Sequence, residues 1–259
     1  FNLMNKKIAI LGSTGSIGKS LLSILFNEKK KFNILLLTAN KSYLTLLKQA
    51  KKFNVKNLII TDIESYNLAK KINKNPKIKI FNNFKNFNKI FSKKIDYVMS
   101  SIIGIEGLEP TIKIIKHTKT IAIANKESII CAWNLIQKEL TNYKTFFIPV
   151  DSEHFSIWYG LQNINNKTIN KIYLTASGGP FFRLPLNKFK NIKLDQALNH
   201  PNWNMGKKIS VDSSTMINKV FEIIEAKNIF KINLDKLSIL VHAKSYVHAI
   251  LSFNDGMIK

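Results

Sequence analysis

The chain has 259 residues, 45% of them hydrophobic, which is enough for a sizeable core in one large or two modest domains. Its formal net charge of +24 is spread along the chain rather than gathered in one arm, so we expect attraction to anionic substrates but no nucleic-acid partner. No apolar run is long enough for a membrane span, and the single cysteine, Cys131, excludes an intrachain disulfide and favours a reducing compartment.

The first predicted element is a strand over residues 6–11, followed by a glycine-rich turn at 12–18 and a helix through Phe26. Glycines let backbone N–H groups approach an anion, and the helix N-terminus adds a partial positive charge. The spacing is G-x-x-G-x-x-G rather than the strict G-x-G-x-x-G fingerprint. A P-loop is disfavoured by register, because Ser13 stands where its first glycine is needed. The turn therefore predicts a phosphate-binding site.

The second predicted strand, at 32–38, indicates which dinucleotide would bind. In NAD-binding units this strand usually ends in an acidic residue that accepts hydrogen bonds from the ribose. Here it is followed by Asn40, Lys41 and Ser42, with no acid. A lysine among small polar residues suits a 2′-phosphate, so NADP is favoured over NAD. The alternative is that Lys41 is one more surface lysine.

Strands and helices then alternate. Further strands are predicted at 57–61, 77–81, 96–100, 120–124 and 144–148, and helices at 43–53, 65–72 and 107–116. This alternation predicts a doubly wound parallel sheet of the Rossmann-like kind. Asn125 and Lys126 follow the strand at 120–124 and open a helix through Leu140, so we expect them beside the nicotinamide position. Alternatively, Asn125 only caps that helix.

The segment 149–154, Pro-Val-Asp-Ser-Glu-His, follows the strand at 144–148. If extended geometry continues, the carboxylates of Asp151 and Glu153 share one face. Two hard oxygen donors at the carboxyl end of a strand indicate a divalent-cation site. The alternative is a solvated loop.

After residue 150 the pattern changes. A strand ends at 174–176, and an irregular stretch with His200 and Trp203 runs to Lys207, which is typical of a lid. A helix is then predicted from a cap at 210–215 to about residue 229. On it Glu222 would supply a third carboxylate, with Glu225 as the competing candidate. Lys219 and Glu222 are an i,i+3 pair, which alone indicates a surface salt bridge.

Six of these motifs, taken together and in order, resemble the 1-deoxy-D-xylulose 5-phosphate reductoisomerase family. They are the segments 12–18, 124–128, 149–154, 177–181, 200–206 and 212–222. The resemblance implies an NADPH-binding Rossmann-like domain at 1–150 and an α+β catalytic domain at 151–259. It also implies that the family's C-terminal helical domain is missing, that the full-length protein is a homodimer, and that it works in a bacterial cytoplasm or a plastid.

The resemblance also implies residue roles. The expected cofactor contacts are Thr14, Gly15, Ser16, Ile17, Asn40, Lys41, Ser42, Asn125, Glu127 and Gly206. The expected ligands of Mg²⁺ or Mn²⁺ are Asp151, Glu153 and Glu222. The expected substrate contacts are Lys126, Ser152, Glu153, Ser177, His200, Trp203, Ser213, Asn218, Lys219 and Glu222. Catalysis is expected to involve Lys126, Glu153 and His200.

The implied reaction is the NADPH- and metal-dependent rearrangement and reduction of 1-deoxy-D-xylulose 5-phosphate, a phosphorylated sugar, to 2-C-methyl-D-erythritol 4-phosphate. The alternative is another NADP-dependent dehydrogenase of a phosphorylated sugar. A hydrolase using Ser152 with His154 or His200 is disfavoured, because Ser152 lacks a G-x-S-x-G elbow and stands between two carboxylates.

Overall fold

The computed structural model of the protein describes residues 5–28, 30–198 and 207–259. The chain divides into two compact units, Phe1–Ile148 and Pro149–Lys259, and each has its own sheet. Within the described ranges, no helix has the length and apolar content that crossing a membrane requires.

The first unit alternates strands with helices. Its strands are β1 (Lys6–Leu11), β2 (Phe32–Ala39), β3 (Asn57–Ile60), β4 (Lys79–Phe81), β5 (Ile95–Ser100), β6 (Thr118–Ile123) and β7 (Phe146–Pro149). Its helices are α1 (Ser16–Asn27), α2 (Tyr43–Phe53), α3 (Ile63–Ile72), α4 (Phe87–Ile90), α5 (Leu108–Ile115) and α6 (Lys126–Asn142). The sheet order is β4-β3-β2-β1-β5-β6-β7, and all neighbours from β4 to β6 are parallel. This confirms the predicted Rossmann-like sheet.

The strand order reverses beside β1. The chain adds β2, β3 and β4 on one side of β1 and then returns to place β5, β6 and β7 on the other. In such sheets the connections diverge at the reversal and leave a crevice at the carboxyl ends of the two central strands. The glycine-rich turn after β1 lies at this point.

Local sequence explains these elements. The segment Ile8 to Leu11 is buried throughout, as expected for a parallel strand covered by helices on both faces. Helix α3 begins where the Asp62 carboxylate accepts a hydrogen bond from the Ser65 N–H at 2.9 Å. Helix α2 ends at Asn54, which adopts the left-handed conformation common at helix C-termini.

The second unit packs helices against a small mixed sheet. Its elements are α7 (Ser152–Gly160), β8 (Ile169–Ala176), α8 (Leu194–Leu198), α9 (Lys207–Ser214), α10 (Ile217–Phe230), β9 (Leu237–Val241) and β10 (Ala249–Phe253). Strand β8 is central, antiparallel to β10 and parallel to β9. Side chains from α7, α10 and the strands form one apolar core that includes Ile157, Leu174 and Ala226.

Two details of this unit differ from the expectation. The helix expected after a cap at 210–215 is present as α10, but the capping segment is itself helical, and α9 and α10 are separated at Met216, whose φ is 63°. The Ser214 hydroxyl donates to the Val211 carbonyl at 2.7 Å, and such local bonds compete with helix continuation. The irregular stretch expected before Lys207 also contains α8 and a 3-10 turn at Leu186–Asn191.

Candidate active site

The glycine-rich turn after β1 is shaped by close backbone approach. Gly12 has a φ of 81°, and a Cβ there would lie 2.8 Å from the Ser101 carbonyl oxygen. A side chain at this position would therefore be strained and would collide with the end of β5. Gly15 precedes α1 as its N-cap residue, and the first turn of α1 carries no acidic residue. The N–H groups of this helix start are thus suited to an anion.

Residues beyond the turn fix its shape. The Gly12 N–H donates to the Thr38 hydroxyl at 2.8 Å, and the Ser13 N–H donates to the Thr38 carbonyl at 3.0 Å. On the other side, the Ser13 hydroxyl donates to Gln49 Oε1 at 2.8 Å, and Gln49 Nε2 donates back to the Ser13 carbonyl at 2.9 Å. The turn is therefore clamped between β2 and α2.

A cavity of about 630 Å³ opens beside this turn. Three of the expected cofactor residues, Thr14, Gly15 and Asn40, line it. Other lining residues, which follow or end strands, were not predicted: Thr38, Ala39, Thr61, Ser101, Ile102 and Ile103. Their position at the carboxyl ends of parallel strands is the signal that could have identified them. The volume, the glycines and the uncapped helix start fit a dinucleotide.

The remaining expected cofactor residues have different settings. Ser16 and Ile17 form the start of α1, while Lys41 and Ser42 are exposed residues before α2. Asn40 Nδ2 donates to the Thr61 hydroxyl at 2.8 Å.

Asn125 is the N-cap residue of α6. Its Oδ1 accepts from the Ser128 N–H at 2.5 Å, and its Nδ2 donates to the Ile102 and Gly104 carbonyls, the latter at 2.7 Å. The amide thus anchors the loop that lines the cavity, and direct contact with a cofactor stays a prediction. Lys126 is buried and Glu127 is half-buried in the first turn of α6.

The carboxylates predicted to bind a cation come together in the second unit. One oxygen each from Asp151, Glu153 and Glu222 lie within 4.8 Å of one another. The expectation of extended geometry here is wrong, because α7 begins at Ser152 and Asp151 is its N-cap residue. The first helical turn, rather than a strand face, brings Asp151 and Glu153 together. Three hard oxygen donors fit Mg²⁺ or Mn²⁺.

Lys219 lies among these carboxylates. Its Nζ is 2.8 Å from Glu153 Oε1 and 2.5 Å from Glu222 Oε2, and its side chain is 7% exposed. Burial acts to lower the pKa of Lys219, but the two carboxylates outweigh it and raise that pKa. The Lys219–Glu222 pair is therefore a buried contact rather than a surface salt bridge. Asn218 Nδ2 donates to Glu222 Oε1, as the shared helix face predicts.

A second group, which the sequence reasoning did not assemble, consists of Asp151, His154 and Glu225. His154 Nε2 lies 2.9 Å from the Glu222 carbonyl, while its Nδ1 lies 3.6 Å from Asp151 Oδ2 and 3.9 Å from Glu225 Oε2. Burial acts to lower the pKa of His154, but the carboxyl groups of Asp151 and Glu225 raise it to about 9. Glu225, the competing metal candidate, thus lies in a group with Asp151 and His154, and metal binding by this residue stays a prediction.

The residues expected to bind a phosphate lie on three segments. Ser177 follows β8, and its hydroxyl accepts from the Gly179 N–H at 3.2 Å. Gly179 has a φ of 68°, and a Cβ there would lie 2.6 Å from the Ser213 carbonyl oxygen, so this turn packs closely on the end of α9. Asn218 and Lys219 lie in the first turn of α10. His200, Trp203 and Gly206 lie outside the described residues.

The doubly wound sheet, with its glycine-rich turn at the strand-order reversal, defines a Rossmann-like α/β protein. Family models narrow this class. The 1-deoxy-D-xylulose 5-phosphate reductoisomerase model matches residues 8–133, and the model of that family's C-terminal domain matches residues 147–230. The chain belongs to the 1-deoxy-D-xylulose 5-phosphate reductoisomerase family.

Individual relatives agree with this membership. A 1-deoxy-D-xylulose 5-phosphate reductoisomerase of Pelagibacter ubique is 62% identical over 256 residues, covering 98% of this chain and 66% of the relative. The Zymomonas mobilis enzyme, solved with NADPH, has a TM-score of 0.87 at 34% identity, with 99% of this chain and 66% of that one covered. A reductoisomerase solved with NADPH, fosmidomycin and magnesium has a TM-score of 0.89 at 32% identity, with 98% and 65% covered. The chain spans about two thirds of the length of these relatives.

Proposed function

We propose that the protein converts 1-deoxy-D-xylulose 5-phosphate into 2-C-methyl-D-erythritol 4-phosphate, using NADPH and Mg²⁺ or Mn²⁺. The observation that carries the proposal is the cluster formed by the carboxylates of Asp151, Glu153 and Glu222. The relatives of this chain include a reductoisomerase solved with NADPH and magnesium. A solvated surface does not explain this cluster, because Glu222, which α10 contributes, is only 1% exposed.

We assign NADPH to the unit ending near residue 150. The turn residues Thr14, Gly15, Ser16 and Ile17 would bind the pyrophosphate through backbone N–H groups at the start of α1. The segment Asn40 to Ser42 would receive the 2′-phosphate, because β2 ends without an acidic residue. Asn125 and Glu127 would contact the cofactor at the start of α6, and Gly206 is also assigned to cofactor binding.

We assign the metal and the substrate to residues 151–259. The bound cation supplies Lewis-acid polarisation of a carbonyl, and NADPH supplies the hydride. Asp151, Glu153 and Glu222 would provide oxygen ligands in a partly water-excluded setting. Ser152 would contact the substrate backbone, although in this structure its hydroxyl donates to Glu153 Oε2 at 2.7 Å. Lys126 is also assigned to substrate binding.

The phosphate of the substrate would be bound by hydroxyl, amide and ammonium donors, namely Ser177, Ser213, Asn218 and Lys219. Binding a phosphate away from the reacting carbons orients the substrate and supplies free energy for closure of a lid. His200 and Trp203 are assigned to that lid, and His200, Glu153 and Lys126 to the catalytic group. The protein is proposed to be a homodimer of the bacterial cytoplasm or a plastid.

The test is NADPH oxidation with 1-deoxy-D-xylulose 5-phosphate, measured with Mn²⁺ and after its removal by EDTA. Oxidation should require the metal, and Glu222→Gln should reduce it about a hundredfold, because the variant has lost one charged ligand. Glu109→Gln, which changes an exposed acid on α5, is the matched control and should stay close to wild type. Full metal-dependent turnover in Glu222→Gln would rule out the metal assignment, and a folded protein without turnover would overturn the proposed reaction.

A further inference from the structure

The ammonium group of Lys219 binds two of the carboxylates that the proposed function assigns to a metal. Its Nζ contacts Glu153 Oε1 at 2.8 Å and Glu222 Oε2 at 2.5 Å, and the Lys219 and Glu222 side chains are only 7% and 1% exposed. The other Glu222 oxygen accepts from Asn218 Nδ2. Both oxygens of this carboxylate are therefore already engaged by donors from the same helix, α10.

A divalent cation and this ammonium cannot share the two carboxylates in the observed positions. Mg²⁺ lies about 2.0–2.1 Å from each oxygen ligand. An ammonium less than 3 Å from the same oxygens would then face a doubly charged ion at close range, where water screens the repulsion poorly. One of the two cations has to move, and the lysine side chain is the flexible partner.

We propose that Lys219 competes with the divalent cation for the Glu153–Glu222 pair, and that cation binding releases its ammonium to bind a phosphate group. This inference rests on the proposed function, because it takes Glu153 and Glu222 as metal ligands. Lys219 is then a positioning residue in the metal-free protein, where it neutralises carboxylates that would otherwise repel one another.

The exchange couples two ligands. In the metal-free protein the Lys219 charge is neutralised by Glu153 and Glu222, so it attracts an anion weakly. After exchange the carboxylates face the cation and the ammonium is available to a phosphate oxygen. By thermodynamic linkage the cation strengthens phosphate binding, and phosphate strengthens cation binding by the same factor. Lysine suits this role because its stem has several rotatable bonds.

The decisive measurement is the Mn²⁺ dissociation constant of Lys219→Met, determined at pH 8 by electron paramagnetic resonance of free Mn²⁺. Removing the competing charge should tighten Mn²⁺ binding at least about tenfold. Lys227→Met is the matched control, since Lys227 is an exposed lysine on the same helix and its loss removes the same formal charge. That control should stay within about twofold of wild type. Unchanged or weaker Mn²⁺ binding in Lys219→Met would overturn the proposal.

Folding of the variant provides a second readout. Without the ammonium, the carboxylates repel, so Lys219→Met should melt at a lower temperature in EDTA than wild type and should gain more from Mn²⁺. Lys219→Gln, which keeps a hydrogen-bond donor without the charge, should behave in the same direction. If Mn²⁺ raises the melting temperatures of both variants no more than that of wild type, the exchange is refuted.

Inorganic phosphate tests the coupling. Its dissociation constant for wild type should fall at least about fivefold when Mn²⁺ is added, and this gain should be lost in Lys219→Met. An equal gain in both proteins contradicts release of Lys219. Glu222→Gln distinguishes failure of the metal assignment from failure of the exchange. If Mn²⁺ binding is insensitive to Glu222→Gln, the metal assignment itself fails; if it is sensitive while Lys219→Met binds Mn²⁺ like wild type, only the exchange fails.

Discussion

The contact between Gln49 and the glycine-rich turn predicts a role for this residue in cofactor binding. Gln49 exchanges two hydrogen bonds with Ser13, at 2.8 and 2.9 Å, and thereby attaches the turn to α2. Gln49→Leu keeps most of the side-chain volume and removes both bonds. Each bond is worth about 0.5–1.5 kcal/mol net, so the pair contributes roughly 1–3 kcal/mol to the shape of the turn.

The loss of these bonds can lower the free energy of unfolding or the affinity for NADPH. If the turn keeps its shape, the variant is less stable. If the turn samples other shapes, NADPH affinity falls in proportion to the fraction of molecules whose turn has the binding shape. If all of this free energy were lost from binding, the NADPH dissociation constant would rise by a factor of about 5–150. We expect a rise of about tenfold, because the contacts of the turn with Thr38 remain.

The assay is a fluorescence titration of NADPH, with urea unfolding of the same samples. Ser13→Ala should show part of the effect, and the double variant should be less than additive, because the two side chains share a bond. Gln137→Leu on α6 is the matched control, because it makes the same substitution away from the glycine-rich turn. An NADPH dissociation constant within twofold of wild type, in a Gln49→Leu protein of unchanged stability, would refute the reasoning.

Two further predictions concern stability. Gly12→Ala should lower the free energy of unfolding by about 2 kcal/mol or more. Gly104 has a similar φ of 76°, and a Cβ there would have no atom within 4 Å, so Gly104→Ala should be destabilised only by backbone strain, by about 1 kcal/mol. Equal losses of stability in urea unfolding would contradict a clash of the Gly12 variant with Ser101. Burial, with a smaller contribution from the Lys116 charge, lowers the pKa of His117, so below about pH 6.5 the unfolded chain takes up a proton that the folded protein resists. Stability should therefore fall on acidification from pH 7 to 5, by at most about 1.4 kcal/mol per pH unit from this residue, and His117→Phe should remove that part of the slope; identical slopes for the two proteins would contradict it.

The first unit was predictable because each of its signals is local. Strand β1 is a short apolar run next to a glycine-rich turn, and its hydrophobic pattern and the glycines that end it are enough to identify it. The proximity of the Asp151 and Glu153 carboxylates was predictable for the same reason, since both residues stand directly after an apolar strand. Their geometry was not, because whether the chain continues as a strand or starts a helix after Pro149 depends on packing that the sequence does not reveal.

Contacts between distant segments were the part that could not be predicted. Nothing local distinguishes Gln49 from other polar residues of α2, and its role depends on where β1 ends. The group of His154 with Glu225 joins positions 71 residues apart, on α7 and on α10. Met216 likewise adopts a positive φ that methionine does not favour, so its residue type does not predict the break between α9 and α10.

The placement of β1 in its sheet also affects how the chain is made. β1 pairs with β2, which follows it closely, and with β5, whose residues come about 89 positions later, as the hydrogen bond from Lys7 to Asp96 illustrates. At a synthesis rate of about 5–20 residues per second, one edge of this apolar strand waits roughly 4–18 s for its partner. An open apolar edge can pair with another chain. On the ribosome, the interval before β5 emerges is therefore the period when the nascent protein is most exposed to aggregation.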